Sequence, residues 1–265
     1  MRLCSIASGS SGNCIYVGSD TTHLLVDAGI SGKKIEEGLR SLELSLRDID
    51  GILVTHEHAD HINGLGVLVR KQEIPIYGTK GTLQRIKATK SLGELPEDIF
   101  REIKAEESFI IKDVHVSPME ISHDASEPVA YRFRYDKRNI GIITDLGVYN
   151  DYTVACLKEM DALFLEANHD VRMLETGPYP YYLKQRILGN RGHLSNEMSG
   201  RLLARLLENG EKKVMLGHLS KENNMPELAY ETVRVEITMS ENDLKGRDIP
   251  LSVAKRSEVS EIISV

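Results

Sequence analysis

The feature that most constrains the fold of this 265-residue chain is a dense group of metal-ligand side chains directly after an apolar strand. Residues 51–55 are Gly-Ile-Leu-Val-Thr, and residues 56–61 continue as His-Glu-His-Ala-Asp-His. Side chains at positions i and i+2 of a helix point apart, whereas in an extended turn at a strand end they can converge on one small volume. A polar turn that happens to be rich in His is the alternative, but such a group is costly to hold together without a cation. We therefore predict a metal site suited to zinc, iron or manganese, with four ligands: His56, His58, Asp60 and His61.

Three apolar strands further along the chain also end in a candidate ligand, and these residues are His123, Asp145 and His218. A single His after a strand is more often a surface or core residue than a metal ligand. Four ligands in one turn cannot complete the coordination shells of two metals, however, so other parts of the chain should supply more. Because the same strand-then-ligand pattern recurs three times, we expect these residues to join the first group.

Short β-branched runs that alternate with helical patterns place the chain in the α/β (α+β) class. Strands are predicted over residues 14–18, 23–27, 51–55, 74–77, 109–111, 114–120, 129–135, 140–144, 162–166, 214–217, 249–254 and 259–265. Helices are predicted over residues 31–42, 62–72, 82–90, 152–160, 196–208 and 227–238. A β-rich first half followed by strand–helix alternation suggests two sheets between layers of helices. We expect a single domain over residues 1–265, because no linker is long enough to separate a second one.

The composition excludes several classes of protein. With 41% hydrophobic and 28% charged residues the chain is an ordinary globular protein, without the run of about 18 apolar residues that a membrane span requires. Its first residues include no apolar run of signal-peptide length, and three cysteines cannot form a disulfide framework in a chain of this size. We therefore expect a cytoplasmic protein with no membrane association. The net charge of −7 argues against a broad basic surface that coats duplex DNA.

The sequence His-Glu-His-Ala-Asp-His matches the HxHxDH motif of the metallo-β-lactamase superfamily, and the later candidate ligands fall in the order of that family's later motifs. The chain resembles this superfamily along nearly its whole length. The resemblance implies an αββα four-layer sandwich with a dinuclear site at one edge. It also divides the ligands between the metals: His56, His58 and His123 for one, Asp60, His61 and His218 for the other, and Asp145 bridging both. Asp27 matches the family's early aspartate and would orient the site, although a turn aspartate at a strand end is an equal alternative.

The ligand set implied by the resemblance narrows the chemistry. β-Lactamases of the superfamily have a Cys where this chain has Asp145, and its flavodiiron members have an acid where this chain has His58. The site is therefore typical of the phosphodiesterase, glyoxalase II-like and lactonase branches. Two divalent ions, zinc, manganese or iron, would activate a water for attack on the substrate.

A phosphodiesterase also needs an acid outside the metal shell to protonate the departing sugar oxygen. Glu166 ends a strand and His193 precedes a helix, and ribonuclease Z-like phosphodiesterases have a similar pair. We expect Glu166 to orient His193, whose other ring nitrogen would face the scissile phosphate; the alternative is that His193 is only a turn residue. The predicted catalytic residues are Asp60, Glu166 and His193.

The segment 176–191 combines tyrosines with basic residues and contains no acidic residue. Aromatic stacking beside a positive stripe is how single-stranded nucleic acid is held without base-specific contacts. A proline-rich loop that packs its tyrosines on the core is an equal alternative. The predicted nucleic-acid-binding residues are Tyr179, Tyr181, Tyr182, Lys184, Arg186 and Arg191, with His169 as a further phosphate contact.

Within the superfamily, six segments together are similar to the YycJ/WalJ-type group: SGSSGNC, LVDAG, HEHADH, LEANHD, GHLSN and GHLSKENN. This similarity implies a metal-dependent exonuclease that digests DNA from 5′ to 3′, on single strands or from a free 5′ end, in mismatch repair. A glyoxalase II-like thioesterase or a lactonase is the alternative among enzymes, but the tyrosine-rich segment has no obvious use there. A non-catalytic nucleic-acid-binding module is the other alternative, and the intact set of seven ligands argues against it.

Overall fold

The computed structural model describes residues 1–208, 210–240 and 249–265, which form two compact units. Unit 1 comprises Met1–Glu120, Ala125–Arg138 and Lys255–Val265. Unit 2 comprises Ile121–Asp124 and Asn139–Ala254. The single domain expected over residues 1–265 stays a prediction.

Strands and helices of both units alternate along the described part of the chain. The strands are β1 (Arg2–Ala7), β2 (Cys14–Gly18), β3 (His23–Val26), β4 (Gly51–Leu53), β5 (Ile76–Thr79), β6 (Phe100–Ile103), β7 (Phe109–Ile111), β8 (Val114–Glu120), β9 (Val129–Tyr135), β10 (Arg138–Ile143), β11 (Ala162–Glu166), β12 (Lys213–Gly217), β13 (Leu251–Val253) and β14 (Ile263–Ser264). The helices are α1 (Gly32–Ser41), α2 (Ala59–Ile62), α3 (Leu65–Lys71), α4 (Lys80–Ala88), α5 (Asp151–Leu157), α6 (Val171–Thr176), α7 (Tyr181–Leu188), α8 (Asn196–Leu207) and α9 (Pro226–Met239). Among the residues described, no helix is both long and apolar enough to cross a membrane.

Unit 1 contains a seven-stranded mixed sheet with the strand order β14-β1-β2-β3-β4-β5-β6. Strands β1 to β3 pair antiparallel, whereas β3 to β6 pair parallel. Val26 at the end of β3 pairs with Leu53 at the end of β4, so the carboxyl ends of these strands lie at one edge of the sheet. Asp27 and the residues from Thr55 onward follow at that edge. In open α/β sheets, this is the edge at which ligands bind.

Helix α1 shows how the apolar pattern of the sequence determines the packing of unit 1. The Ser31 side chain caps the helix by accepting a hydrogen bond from the backbone N–H of Lys34. Ile35 and Leu39 are four residues apart, so they share one face, and both are fully buried. They belong to one hydrophobic cluster with Leu25 of β3 and Ile52 of β4. Burial of each such side chain contributes about 1.5–3 kcal/mol, and this core fixes the two strands whose ends carry the predicted ligands.

Three further strands of unit 1, β7, β8 and β9, pair antiparallel. These strands have the bounds that the sequence predicts, 109–111, 114–120 and 129–135. The Tyr131 hydroxyl of β9 donates to the carbonyl of Val54 (2.8 Å), and Val129 N donates to the carbonyl of Thr55 (3.0 Å). These two bonds hold the chain immediately before the HEHADH sequence.

Unit 2 is built on four strands, β10 to β13, that pair parallel in sequence order. Strand β11 is buried along its whole length, as its continuous apolar sequence Ala-Leu-Phe-Leu requires in a parallel sheet. Glu166, the last residue of β11, pairs with Gly217, the last residue of β12. Asp145, Glu166 and His218 therefore lie at or just after the carboxyl ends of three neighbouring strands.

Several elements differ from the prediction for local reasons. The helix predicted over 62–72 is observed as α3, which begins at Leu65 and follows the one-turn helix α2 that ends at Ile62. Gly64, between them, packs closely on Ile30, where a β-carbon would lie 2.2 Å from the carbonyl oxygen. Strand β6, at the edge of its sheet, is missing from the prediction because two adjacent charged residues interrupt its apolar pattern. Helix α7 is also missing, because the prolines before Tyr181 suggest a loop. β1 and α6 have no counterpart in the prediction, and the strand predicted over 259–265 is reduced to β14.

Candidate metal centre

Unit 1 holds the four predicted ligands of the HEHADH sequence in one compact group, in the turn after β4 and in the short helix α2. His56 and His61 are buried, whereas His58 and Asp60 are partly exposed. His56 Nε2 and His58 Nδ1 face each other at 3.0 Å, and the ring centroids of His56 and His61 are 4.1 Å apart. His61 Nε2 lies 3.5 Å from Asp60 Oδ2. Nitrogen and oxygen donors are therefore concentrated at one point of this unit.

A buried carboxylate, that of Asp27, sets the orientation of two of these imidazoles. It accepts hydrogen bonds from His61 Nδ1 at 2.7 Å and from the amide and hydroxyl of Thr55, both at 2.8 Å. Because the Thr55 hydroxyl donates its proton to Asp27, it accepts from His56 Nδ1 at 3.0 Å. His56 and His61 therefore carry their protons on Nδ1 and direct Nε2 at the other ligands.

Asn13, which the sequence pattern does not reveal, also reaches this group. It is fully buried; its Oδ1 accepts from Gly9 N at 2.9 Å, and its Nδ2 lies 3.3 Å from His61 Nε2. Since His61 carries its proton on Nδ1, its Nε2 accepts this bond. The sequence feature that could have pointed to Asn13 is the Gly- and Ser-rich run before it. The backbone N–H of Asn13 also donates to the carbonyl of Asp60 at 2.8 Å. A metal bound to His61 Nε2 would take the lone pair that accepts the hydrogen bond from Asn13 Nδ2, so the Asn13 amide would have to release it.

In unit 2, the fully buried carboxylate of Glu166 holds two imidazoles. Its Oε1 accepts hydrogen bonds from His193 Nδ1 and His218 Nδ1, both at 2.8 Å. Its Oε2 accepts from the backbone N–H groups of Leu146 at 2.8 Å and Leu194 at 3.1 Å. Burial alone would raise the pKa of Glu166, but the two imidazoles and their hydrogen bonds outweigh it and hold the pKa far below its usual value. Glu166 is therefore an anion, and both histidines carry a proton on Nδ1.

Asp145 lies among three histidines of unit 2. Its Oδ1 is 3.5 Å from His193 Nδ1 and 3.6 Å from His218 Nδ1. It is also 3.7 Å from His123 Nε2. The Nδ1 of His123 donates to the carbonyl of Gly192 at 3.1 Å, which directs Nε2 at Asp145. Burial lowers the pKa of His123, although Asp145 acts in the opposite direction, so this ring is neutral near pH 7 and its Nε2 has the lone pair of a ligand.

Three of these residues have a backbone conformation that side-chain-bearing residues rarely adopt. Asp27, Asp145 and His218 have φ angles of 62°, 57° and 55°, in the left-handed region. This conformation costs roughly 1–2 kcal/mol per residue and concentrates at functional sites. Each of the three lies just after a strand, so the strain occurs where the chain turns away from the sheet edge.

The donor set fits divalent metal ions. A histidine that binds a metal normally donates its second ring N–H to a carboxylate, a carbonyl or water. His61, His123 and His218 all do so through Nδ1. Imidazole nitrogen combined with carboxylate oxygen suits zinc, manganese and iron. Within unit 2 alone, four residues each offer a donor atom, and these atoms lie within 4.8 Å of one another: Asp145, Glu166, His193 and His218.

The tyrosines of segment 176–191 differ in exposure. Tyr181 and Tyr182 begin α7 and are 77% and 75% exposed, whereas Tyr179 is half-buried. Packing of all three tyrosines on the core is therefore excluded. Two adjacent aromatic rings are open to solvent at the start of this helix.

The basic residues of the same segment bind other parts of unit 2. Lys184 Nζ donates to the carbonyls of residues 175 and 177, at 2.7 and 2.8 Å. Arg186 pairs with the carboxylate of Asp124, and Arg191 binds the carbonyl of His123. Each of these cations therefore has a partner within the protein, and the positive stripe expected for nucleic acid stays a prediction.

His169 does not reach the surface. Its ring is 1% exposed, and neither ring nitrogen has a hydrogen-bond partner among the described residues. Burial lowers the pKa of His169 to about 4, so the ring is uncharged near pH 7. The sequence predicts that His169 contacts phosphate, but its ring is buried and uncharged, and such a ring cannot attract an anion from solvent.

Comparison with known proteins identifies the family. The sequence matches a family model described as "Beta-lactamase superfamily domain" over residues 22–219. It is 42% identical over 228 residues to the exodeoxyribonuclease WalJ of Streptococcus pneumoniae, with 86% of this chain and 85% of that protein covered. It is 42% identical over 228 residues to the exodeoxyribonuclease YycJ of Bacillus anthracis, with 86% of each covered. The structure is similar to the metallo-β-lactamase fold protein YhfI of Bacillus subtilis, with a TM-score of 0.70, 16% identity and 98% of both chains covered.

The fold and the His/Asp groups define a metal-dependent hydrolase, which confirms the class predicted from the HEHADH sequence. The chain belongs to the β-lactamase superfamily and has the metallo-β-lactamase fold. The predicted α/β class and the resemblance to the YycJ/WalJ-type group are confirmed with it.

Proposed function

We propose that this hydrolase is a DNA exonuclease that uses two divalent metal ions and digests from 5′ to 3′, on single strands or from a free 5′ end, in mismatch repair. Two relatives named exodeoxyribonuclease are 42% identical to this chain over 85–86% of their length. Identity at this level over most of both proteins supports a shared reaction. The polarity, the strand preference and the repair role rest on the resemblance to the YycJ/WalJ-type group.

The observation that carries the proposal is the position of His193 between Glu166 and solvent. Hydrolysis of a phosphodiester releases a sugar oxygen that must be protonated. The Nδ1–H of His193 is fixed by Glu166 at 2.8 Å, and its side chain is 17% exposed. The remaining nitrogen, Nε2, is therefore the atom that takes up a proton and delivers it to the leaving oxygen. The carboxylate of Asp145 lies 3.5 Å from the same Nδ1.

The proposed metal ligands are the seven residues of the sequence motifs. His56, His58 and His123 would bind the first ion and Asp60, His61 and His218 the second, with Asp145 bridging both. When bound, the ions supply an activated water and positive charge against the phosphoryl oxygens. The chain prepares the ligands in advance, because Asp27 fixes the tautomer of His61 and Glu166 fixes that of His218.

Tyr181 and Tyr182 are the proposed contacts to the bases of the strand. Both rings are exposed at consecutive positions of α7, and every base has a face on which an aromatic ring can stack. Stacking holds a strand without reading its sequence, as a nonspecific exonuclease requires. This mode also suits a chain of net charge −7, which does not favour a broad surface for duplex DNA.

Digestion of labelled substrates by the purified protein with Mn²⁺ tests the proposal. A 5′-labelled single strand should release labelled mononucleotide from the first time points, while a 3′-labelled strand should shorten progressively. The matched variant Glu166→Gln keeps the size of the side chain and removes its charge, and should lose roughly 100-fold or more in turnover. Cleavage of RNA alone, or turnover of a thioester without cleavage of DNA, would overturn the proposal.

A further inference from the structure

Within unit 2, the segment 186–193 is fastened to the segment 121–124. Ser122 Oγ donates to the carbonyl of Asn190 at 2.8 Å. The guanidinium of Arg186 pairs with the carboxylate of residue 124, with one of the two bonds at 3.1 Å. Side chains of both segments make these hydrogen bonds, so the two segments hold each other in place.

Arg191 makes the most directional contact between the two segments. Its Nε and Nη2 both donate to the carbonyl oxygen of His123, at 3.0 and 2.9 Å. The next residue, Gly192, accepts the Nδ1–H of the same histidine at 3.1 Å. His123 is therefore held at its backbone and at its ring by two consecutive residues. The residue after them is His193, whose ring centroid lies 5.2 Å from that of His123.

The turn that carries these contacts is closely packed. The backbone N–H of His193 donates to the carbonyl of Ile187 at 3.0 Å, and that of Gly192 to the carbonyl of Gly189 at 2.8 Å. A β-carbon at Gly192 would lie 2.1 Å from the oxygen of Ile187, so no larger residue fits there without movement. Because this turn is closely packed, the position of Arg191 determines the positions of its neighbours Gly192 and His193.

We propose that Arg191 is a positioning residue that fixes His123 relative to His193, and that it serves this geometry rather than supplying charge to bind DNA. The inference rests on the proposed function in taking His123 as a metal ligand and His193 as the proton donor. A guanidinium presents two N–H groups in one plane to a single acceptor, which an ammonium cannot reproduce. Arg191→Lys therefore keeps the charge that DNA would sense and removes the paired hydrogen bonds.

Three variants separate the two roles: Arg191→Lys, Arg191→Ala and Ser122→Ala. In Arg191→Lys and Arg191→Ala alike, the dissociation constant for Mn²⁺ measured by calorimetry without DNA should rise roughly tenfold, and kcat should fall roughly 10- to 100-fold. The KM for DNA should stay within about twofold of the wild-type value. Ser122→Ala removes an uncharged bond of the same joint and should weaken Mn²⁺ binding in the same direction. Arg172→Ala, at an exposed arginine of α6, is the matched control and should change none of these quantities.

The outcomes distinguish this inference from the proposed function. If Arg191→Lys keeps the wild-type Mn²⁺ affinity and kcat while Arg191→Ala raises the KM for DNA, Arg191 is a charge contact and the inference is wrong. If Arg191→Ala does not fold, Arg191→Lys and Ser122→Ala still decide, and wild-type Mn²⁺ affinity in both would overturn the inference. Failure of the wild-type protein to cleave DNA would instead overturn the proposed function, since the Mn²⁺ measurements do not depend on DNA.

Discussion

At the scale of single residues, Glu166 connects the two proposed tasks of the unit 2 site. Its carboxylate binds His193, the proposed proton donor, and His218, a proposed metal ligand. Removing one partner from a buried charged pair leaves a charge uncompensated and costs about 3–5 kcal/mol. A substitution at Glu166 therefore disturbs metal binding and proton transfer together, whereas a substitution at His193 removes the proposed proton donor and leaves Glu166 its bond to His218.

Replacement of His193 by Ala should lower kcat by roughly 10²- to 10⁴-fold, the usual contribution of a positioned acid. The metal content should equal that of the wild-type protein, because His193 is not among the proposed ligands. Steady-state kinetics and elemental analysis of the same preparation measure both quantities. His115→Ala, on β8 of unit 1, is the control for loss of an imidazole. Wild-type turnover in His193→Ala would remove this residue from the mechanism.

Replacement of His169 by Phe should keep or increase stability near neutral pH and reduce its loss in acid. The two unpartnered ring nitrogens of His169 are buried, and a buried polar group without a partner costs about 1–3 kcal/mol. The pKa is about 4 in the folded protein against 6.5 for an ordinary histidine. As pH falls through this interval, the unfolded chain takes up a proton that the folded protein does not, so the free energy of unfolding decreases.

Urea unfolding at about pH 7 and about pH 5 measures this effect, because the interval lies between the two pKa values. The wild-type protein should lose more stability between these conditions than His169→Phe does. His169→Gln keeps a buried polar group that does not titrate, and it should share the weaker pH dependence without the gain in stability. Equal pH dependence in all three proteins would show that His169 is not the titrating group.

The ligands could be predicted from the sequence because they follow strands at short, regular spacing. The hydrogen bonds that Asn13 and Glu166 make to two of these ligands could not, because each bond joins residues far apart in the chain. Asn13 binds a histidine 48 positions later, and Glu166 binds one 52 positions later. Such pairs depend on the register of neighbouring strands, and no local pattern encodes that register. The left-handed conformation of Asp145 and His218 is likewise visible only in the structure.

At the scale of elements, α7 shows how turn residues can conceal a helix. Proline is tolerated at the start of a helix, because the first N–H groups have no partner there. Pro180 occupies the cap position and the helix begins at Tyr181. The residues before it suggest a proline-rich loop, but they lead directly into α7. The consequence is that Tyr181 and Tyr182 are held on a regular element, in contrast to the half-buried Tyr179.

The double variant Tyr181→Ala/Tyr182→Ala should weaken binding of single-stranded DNA about tenfold or more, since each stacked base contributes about 1–3 kcal/mol. The melting temperature and metal content should not change, because both rings are exposed. Fluorescence anisotropy of a labelled oligonucleotide measures the affinity. The Phe/Phe variant keeps the rings and should bind as the wild-type protein does, and Tyr152→Ala, at a partly exposed tyrosine of α5, is the control. Unchanged affinity in the Ala/Ala variant would exclude stacking at this site.

At the scale of the whole molecule, the sequence determines the fold class more securely than the strand pairing. Alternating strands and helices predict the α/β class, and the structure and family confirm it. The pairing of β14 with β1 joins residues near the two ends of the described chain: Arg2 pairs with Ser264, 262 positions later, and Leu3 with Ile263, 260 positions later. A pairing of this kind has no local signal, which is why β1 and the true extent of β14 escape prediction.

The net charge of −7 counts the carboxylates of the proposed metal site without their ions. Two divalent cations would add four positive charges and change the net charge from −7 to −3. Their removal should therefore destabilise the protein, because Asp60 and Asp145 would lie among unsatisfied ligands and because a ligand that binds only the folded state stabilises it.

Dialysis against EDTA should lower the melting temperature by about 5 °C or more, since saturation at about 100 times the dissociation constant contributes about 2.7 kcal/mol. Adding Mn²⁺ back should restore the original value, and differential scanning calorimetry measures both transitions. Asp60→Asn keeps the shape of a proposed ligand and removes its charge, so its melting temperature should respond less to EDTA than that of the wild-type protein. Identical melting temperatures of the wild-type protein with and without EDTA would contradict the proposed ligand set, because a metal that binds only the folded state must stabilise that state.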